Sequence, residues 1–192
     1  MTTRIRTLIL SSALCILGLA LPNRLQTAAP LGAMAVEAAH DHEHADAAPA
    51  SLVQAVRDAT RQFIDVNAAT AAGYGRFLGC VSGPDHGAMG VHYVDGALVG
   101  DGNIDGSRPE ALIYEPVGDG LRLVGVEFIV DAATWLAHHP TPPVLGGQTF
   151  QFVGSPNRYA LPAFFELHVW AWRDNPNGAF VDWNTRVTCE GH

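Results

Sequence analysis

The chain has 192 residues, 48% of them hydrophobic and 16% charged, and a formal net charge of −8. All 11 basic residues are Arg, which excludes chemistry that needs an ε-amine: Schiff bases, PLP anchoring and the P-loop lysine. The acidic balance argues against nucleic-acid binding, which needs a basic footprint over the phosphates, and the hydrophobic share fits one folded domain with an extra segment.

That segment lies at the start. Arg4 and Arg6 precede an apolar, uncharged run from Leu8 to Leu21. Its length suits the apolar region of a signal peptide and is too short for a spanning helix. Gly18-Leu19-Ala20 and Ala33-Met34-Ala35 both fit a small-x-small cleavage site, and an uncleaved anchor is the alternative. Residues 1–35 are therefore expected to be a signal peptide whose removal leaves no stable membrane span and a periplasmic or secreted protein. Losing three Arg and no acid takes the charge from −8 to −11. Residues 36–50 follow as an Ala-rich, acidic leader with nothing to bury. It holds His40, His42 and His44 with Asp41 and Glu43 between them, a density of imidazole that binds zinc, copper or nickel without a fold.

Residues 51–192 are expected to form a single α+β domain. Ser51 to Ala72 reads as an amphipathic helix. Ser51 and Gln54 have capping-box spacing, and Leu52, Val56, Ala59, Phe63 and Val66 make one apolar stripe. Gly73 is a natural residue to end it. Beyond Gly73, Gly and Pro punctuate short β-branched and aromatic runs. Strands are expected near Gly90–Val94, Ala111–Glu115, Leu121–Val130, Phe150–Val153, Ala163–Trp172 and Ala179–Trp183, with a helical turn at Thr134–His138. One N-terminal helix on a bent, mainly antiparallel sheet is the result. Cys80 and Cys189 stand near the two ends of the domain, and in an oxidising compartment they are expected to pair.

The clearest hairpin joins Ala111–Pro116 to Leu121–Val130 through Val117-Gly118-Asp119-Gly120. An Asp119-Gly120 turn or a four-residue loop gives the same parity. Glu110, Leu112 and Tyr114 should then share a face with Leu123, Gly125, Glu127 and Ile129. Glu115 and Arg122 should pair on the other, with Val124, Val126 and Phe128. Period 2 along the run from Phe164 puts Glu166, His168, Trp170 and Trp172 on one face. His92 sits in the middle of Gly90–Val94.

His92, Glu127 and His168 thus each occupy a strand position where an apolar residue would be cheaper. Two imidazoles and a carboxylate, with Glu166 as a further candidate donor and Glu110 nearby, are a site for a divalent metal such as zinc or copper, or for a small ligand. The alternatives are a buried polar network without an ion, as in an envelope structural protein, and an acid–base pair of Glu127 or Glu166 with His168 in a secreted enzyme. Asp101-x-Asn103-x-Asp105-Gly106 copies the first half of a calcium loop, but Leu112 stands where the bidentate Glu belongs. There is no Gly-x-Ser-x-Gly motif, and nothing indicates a nucleotide or haem.

Several runs carry a resemblance. They are Cys80-Val81-Ser82-Gly83-Pro84, Gly87-Ala88-Met89-Gly90-Val91-His92-Tyr93-Val94, Arg108-Pro109-Glu110-Ala111-Leu112-Ile113-Tyr114-Glu115-Pro116 and Leu123-Val124-Gly125-Val126-Glu127-Phe128. Leu167-His168-Val169-Trp170-Ala171-Trp172 and Asn175-Pro176-Asn177-Gly178-Ala179-Phe180-Val181-Asp182-Trp183-Asn184 complete the set. Together they resemble a family of uncharacterised secreted bacterial proteins over about residues 52–190. The resemblance implies export and no particular activity, and it does not include the histidine leader.

Overall fold

The computed structural model describes residues 50–190. The expected signal segment and the leader histidines His40, His42 and His44 lie outside them. Four short helices and eight strands make up the described fold. Helix α1 covers residues 50–60 and leads into a 3-10 turn, Arg61–Ile64. Helix α2 follows at Val66–Ala71. The single helix expected from Ser51 to Ala72 is therefore broken. Asp65 is the reason: it adopts an extended conformation, and its side chain accepts from the N–H of Asn67 at 2.9 Å. A residue that caps its own successor starts a new helix instead of continuing the old one.

The strands are β1 (Gly75–Gly83), β2 (Gly87–Val94), β3 (Ala111–Val117), β4 (Gly120–Asp131), β5 (Val144–Leu145), β6 (Gln148–Thr149), β7 (Gln151–Val153) and β8 (Phe164–Val169). Six of them form one curled antiparallel sheet in the order β1-β2-β3-β4-β8-β7, while β5 and β6 make a separate two-stranded ribbon. Two one-turn helices, α3 (Gly96–Val99) and α4 (Ala132–Leu136), lie in connections. Strand β1 escaped the sequence reading, being Gly-rich and mostly exposed at the sheet edge. Ala179–Trp183, expected as a strand, consists of turns and bends.

The hairpin differs from expectation in one informative way. Its turn is Gly118-Asp119, with Gly118 at φ 58°, the position where a tight hairpin turn favours glycine. Glu115 still opposes Arg122 and forms an ion pair with it. Further along, Ile113 pairs with Gly125 but Tyr114 with Leu123, so Val124 is an extra residue. That bulge shifts the parity by one. Glu127 lies opposite Ala111, and Leu112 lies opposite Val126.

The two sheet faces consequently do different work. One buries Leu112, Tyr114, Val126, Phe128, Leu167 and Val169 against Leu52 and Val56 of α1 and Phe63. Polar ties fix this layer. Tyr114 Oη donates to the Phe63 carbonyl at 2.7 Å, and Arg57 Nε donates to that of Ala171 at 2.7 Å. Trp172 belongs here rather than with Glu166 and His168. The strand ends at Val169, and the Trp172 indole turns to donate to Thr60 Oγ1 at 3.0 Å.

The opposite face holds two apolar patches. Ala88, Ile113, Val124, Trp170 and Val187 make one; Ala111, Ile129 and Phe164 make the other. His92, Glu127, Glu166 and His168 lie on this face. The segment from Asn175 to Val187 covers part of it, anchored by a bridge in which Ala88 and Asn184 exchange N–H···O bonds of 3.2 Å. Gly87 makes that approach possible. It has φ 82°, and a Cβ there would stand 2.2 Å from the Asn184 carbonyl oxygen.

Cys80 and Cys189 are joined, which ties β1 to the end of this covering segment across 109 residues. In the chain-entropy account a loop of that length contributes about 4–5 kcal/mol. Replacing both cysteines by Ser should therefore lower the unfolding free energy in urea by about 4 kcal/mol. A loss below about 1 kcal/mol would mean the bridge does not constrain the unfolded chain.

Candidate metal centre

Strand pairing assembles the site. Glu127 on β4 lies directly opposite His168 on β8, and Ile129 lies opposite Glu166. His92 on β2 is two strands from Glu127, with β3 between them. On that face β3 presents Ile113, which pairs with His92, and then Ala111, which pairs with both Val94 and Glu127. The short side chain of Ala111 leaves room for the imidazole and the carboxylate to meet above it. His92 Nε2 and Glu127 Oε2 are 3.3 Å apart. The rings of His92 and His168 are edge to face, with centroids 6.1 Å apart.

The structure therefore brings the three residues singled out in sequence together. One ligand atom from each of His92, Glu127 and His168 lies within 4.8 Å of the others, and all three residues are buried. A second group meets the same criterion: Glu166, His168 and Asp182. Four-coordinate zinc, with bonds of ~2.0–2.1 Å, needs its donors about 3.4 Å apart, so binding requires the donors to close by up to about 1.4 Å.

His168 is the anomaly. It is 1% exposed, and neither ring nitrogen makes a hydrogen bond. Its Nδ1 lies 3.5 Å from Asp182 Oδ1, an ion-pair distance without hydrogen-bond geometry. A buried donor or acceptor left unpaired costs about 1–3 kcal/mol. Nε2 thus calls for a partner that protein atoms do not supply.

Charge is unwelcome here. Burial, and then the neighbouring His168, hold His92 neutral by lowering its pKa to about 3. Burial also pushes Glu127 well above the usual carboxylate range, and the charge and hydrogen bond of Glu166 push it the same way. Asp182 is balanced differently. Burial raises it, but His168 and a 2.6 Å hydrogen bond from Gln151 Nε2 outweigh burial and hold it below the usual value.

Asp182 was not singled out in sequence. It lies on an irregular segment whose course is set by backbone contacts. Asn175 Nδ2 donates to the Trp183 carbonyl at 2.9 Å, and the Trp170 indole donates to that of Val181 at 2.6 Å. The two buried asparagines, Asn175 and Asn184, were the available signal. Glu110, in contrast, stays outside both groups. Its Oε2 accepts from the N–H of Ile129 at 2.9 Å, a structural role at the edge of β3. Asp101 and Asp105 close local turns through the N–H groups of Asn103 and Ser107, which accounts for the calcium-like spacing.

A cavity of about 260 Å³ opens beside the cluster, and His92 and Glu127 form part of its wall. The architecture is thus an α+β domain with one disulfide and a buried His/Glu/Asp group that can hold a metal ion. Among known proteins, no family model, curated protein or solved structure matches the chain at a significant level.

Glu110, which belongs to neither ligand group, offers a pH test. Burial raises its pKa from 4.5 to about 7, against the opposing hydrogen bond from Ile129. The folded state then keeps a proton that the unfolded chain releases, so its contribution to stability is full below about pH 4.5 and is lost as the pH rises to about 7. Glu110→Gln should flatten the decline in metal-free stability over this range by up to about 3 kcal/mol, read from urea midpoints. An unchanged slope would contradict the assignment.

Proposed function

We propose that the protein is an exported divalent-metal-binding protein in which His92, Glu127 and His168 hold the ion. The observation that carries the reading is His168, buried beside a second imidazole and a carboxylate, with Nδ1 facing Asp182 at 3.5 Å and Nε2 without any protein partner. The donors are borderline nitrogen and hard oxygen. Both cysteines of the domain are in the disulfide, so no thiolate is on offer. Zinc suits this set best, and copper(II) is the alternative. Asp182 at Nδ1 is the carboxylate that orients His168 and leaves Nε2 for the ion. A divalent cation also takes over the positive charge that burial denies to His92 and displaces the proton of Glu127.

Export is part of the same proposal: a signal peptide over residues 1–35, a periplasmic or secreted location and membership of the secreted family that the motifs resemble. The disulfide is compatible with it. Among the described residues, no helix is long and apolar enough to cross a membrane.

A second reading rests on a separate observation. The cavity reaches Glu127, whose carboxyl is pushed well above the usual carboxylate range by burial and by Glu166. A neutral carboxyl in a cavity wall is a general acid in waiting, with Glu166 or His168 as its partner. Infrared spectra separate the two. Zinc saturation should abolish a protonated-carboxyl band that Glu127→Gln also removes; persistence of that band at saturation would favour the acid–base reading.

The direct test uses the exported chain with His40, His42 and His44 replaced by Ala, so that the leader cannot contribute. Equilibrium dialysis should find one zinc per chain, and His168→Ala should weaken binding by at least about 100-fold. Zinc at about 1,000 times its dissociation constant should add about 4 kcal/mol to stability. A folded chain that takes up no zinc, or an unchanged affinity in His168→Ala, would overturn the proposal.

A further inference from the structure

The cavity beside the cluster is asymmetric. His92 and Glu127 contribute to its wall, whereas His168, Glu166 and Asp182 do not. An ion held by His92, Glu127 and His168 would have its remaining coordination position facing this space. The other walls are apolar: Val81, Val94, Val99, Ile129, Leu161 and Phe164 surround it, and Tyr159 is the one further polar side chain. Leu78 and Gly96 line its exposed end.

We infer that the cavity is a binding chamber for a small uncharged molecule with an apolar body and one lone-pair head group, which the metal ion would hold. The inference rests on the metal reading above and adds the class of ligand. Size bounds the body. An apolar cavity of ~150 Å³ accepts benzene, so 260 Å³ suits about ten non-hydrogen atoms. Charge bounds the head. No Arg lines the cavity, so an anionic head would find no counter-charge except the ion, which already faces Glu127. An alcohol, a carbonyl or an azole nitrogen meets both conditions.

Strand β1 supports the same view. Its pairing with β2 is interrupted between Phe77 and Val81, and Leu78 within the interruption has φ 59°. A leucine rarely adopts that conformation, and strain of this kind concentrates at ligand-binding sites. Here it sets a half-exposed leucine (51%) at the cavity mouth, where an apolar contact with a ligand would remove it from water.

Cobalt-loaded exported chain with His40, His42 and His44 replaced by Ala reports both steps, because ligand entry shifts the visible cobalt spectrum. Cobalt uptake is measured first. The probes are imidazole, 4-phenylimidazole and phenylacetate at mildly alkaline pH, where the azoles are uncharged. 4-Phenylimidazole should bind at least about tenfold more tightly than imidazole, because its ring enters the apolar space. Phenylacetate should bind more weakly than 4-phenylimidazole. Leu161→Trp and Val99→Phe, which narrow the cavity from two different segments, should each erase the phenyl preference and leave cobalt affinity unchanged. Equal affinities for the two azoles, a preference for phenylacetate, or a phenyl preference that survives in both folded variants would overturn the chamber while the metal site stands. Absence of cobalt uptake would overturn the metal reading and the chamber with it.

Discussion

The pairing of β4 with β8 is the constraint on which the rest of the site depends. It sets Glu127 opposite His168 and Glu166 opposite Ile129, so three ionisable groups face one way while Phe128, Leu167 and Val169 face the other. A slip by one residue would turn the polar set into the helix-packed core and the apolar set outward. The helix layer therefore enforces the register. Burial of Leu167, Val169 and Phe128 beneath α1 stabilises the domain, and that same burial holds Glu127 and His168 together on the opposite face.

On the site face, charge and packing pull in opposite directions. Two apolar patches flank the polar cluster, and the Asn175–Val187 segment covers part of it. Low exposure disfavours both charged forms, lowering the pKa of His92 and raising that of Glu127. Such a cluster needs one positive charge, either as protons shared among the carboxylates or as a metal ion. The unpartnered Nε2 of His168 favours the ion, because a proton on a carboxylate leaves that nitrogen unsatisfied. Asp182 completes the arrangement from outside the sheet, through a segment that depends on Gly87 for its close approach to β2.

Much of this was legible in the sequence. An isolated His or Glu within a β-branched run marks a buried polar position whatever the topology, so His92, Glu127 and His168 stood out. The expected pairing of Cys80 with Cys189, argued from two cysteines near the ends of an exported domain, is present. Other features were hidden for identifiable reasons. The extra residue at Val124 lies in Leu-Val-Gly-Val, where a one-residue slip leaves the apolar pattern intact, so the parity of the hairpin could not be read. Asp65 breaks the first helix although the apolar stripe runs past it. Strand β1 is Gly-rich and exposed, without alternation. Asp182 sits in a segment held by side-chain-to-backbone bonds, which have no period to detect.

The central claim is that one ion is held by three particular side chains. The most direct measurement is an anomalous difference map, at the zinc edge, of crystals of the zinc-loaded exported chain. One strong peak is expected at bonding distance, ~2.0–2.2 Å, from a nitrogen of His92, a nitrogen of His168 and an oxygen of Glu127, with Asp182 against the other nitrogen of His168. A peak bonded to Glu166 and Asp182 without His92, or no peak on this face of the sheet, would contradict that claim.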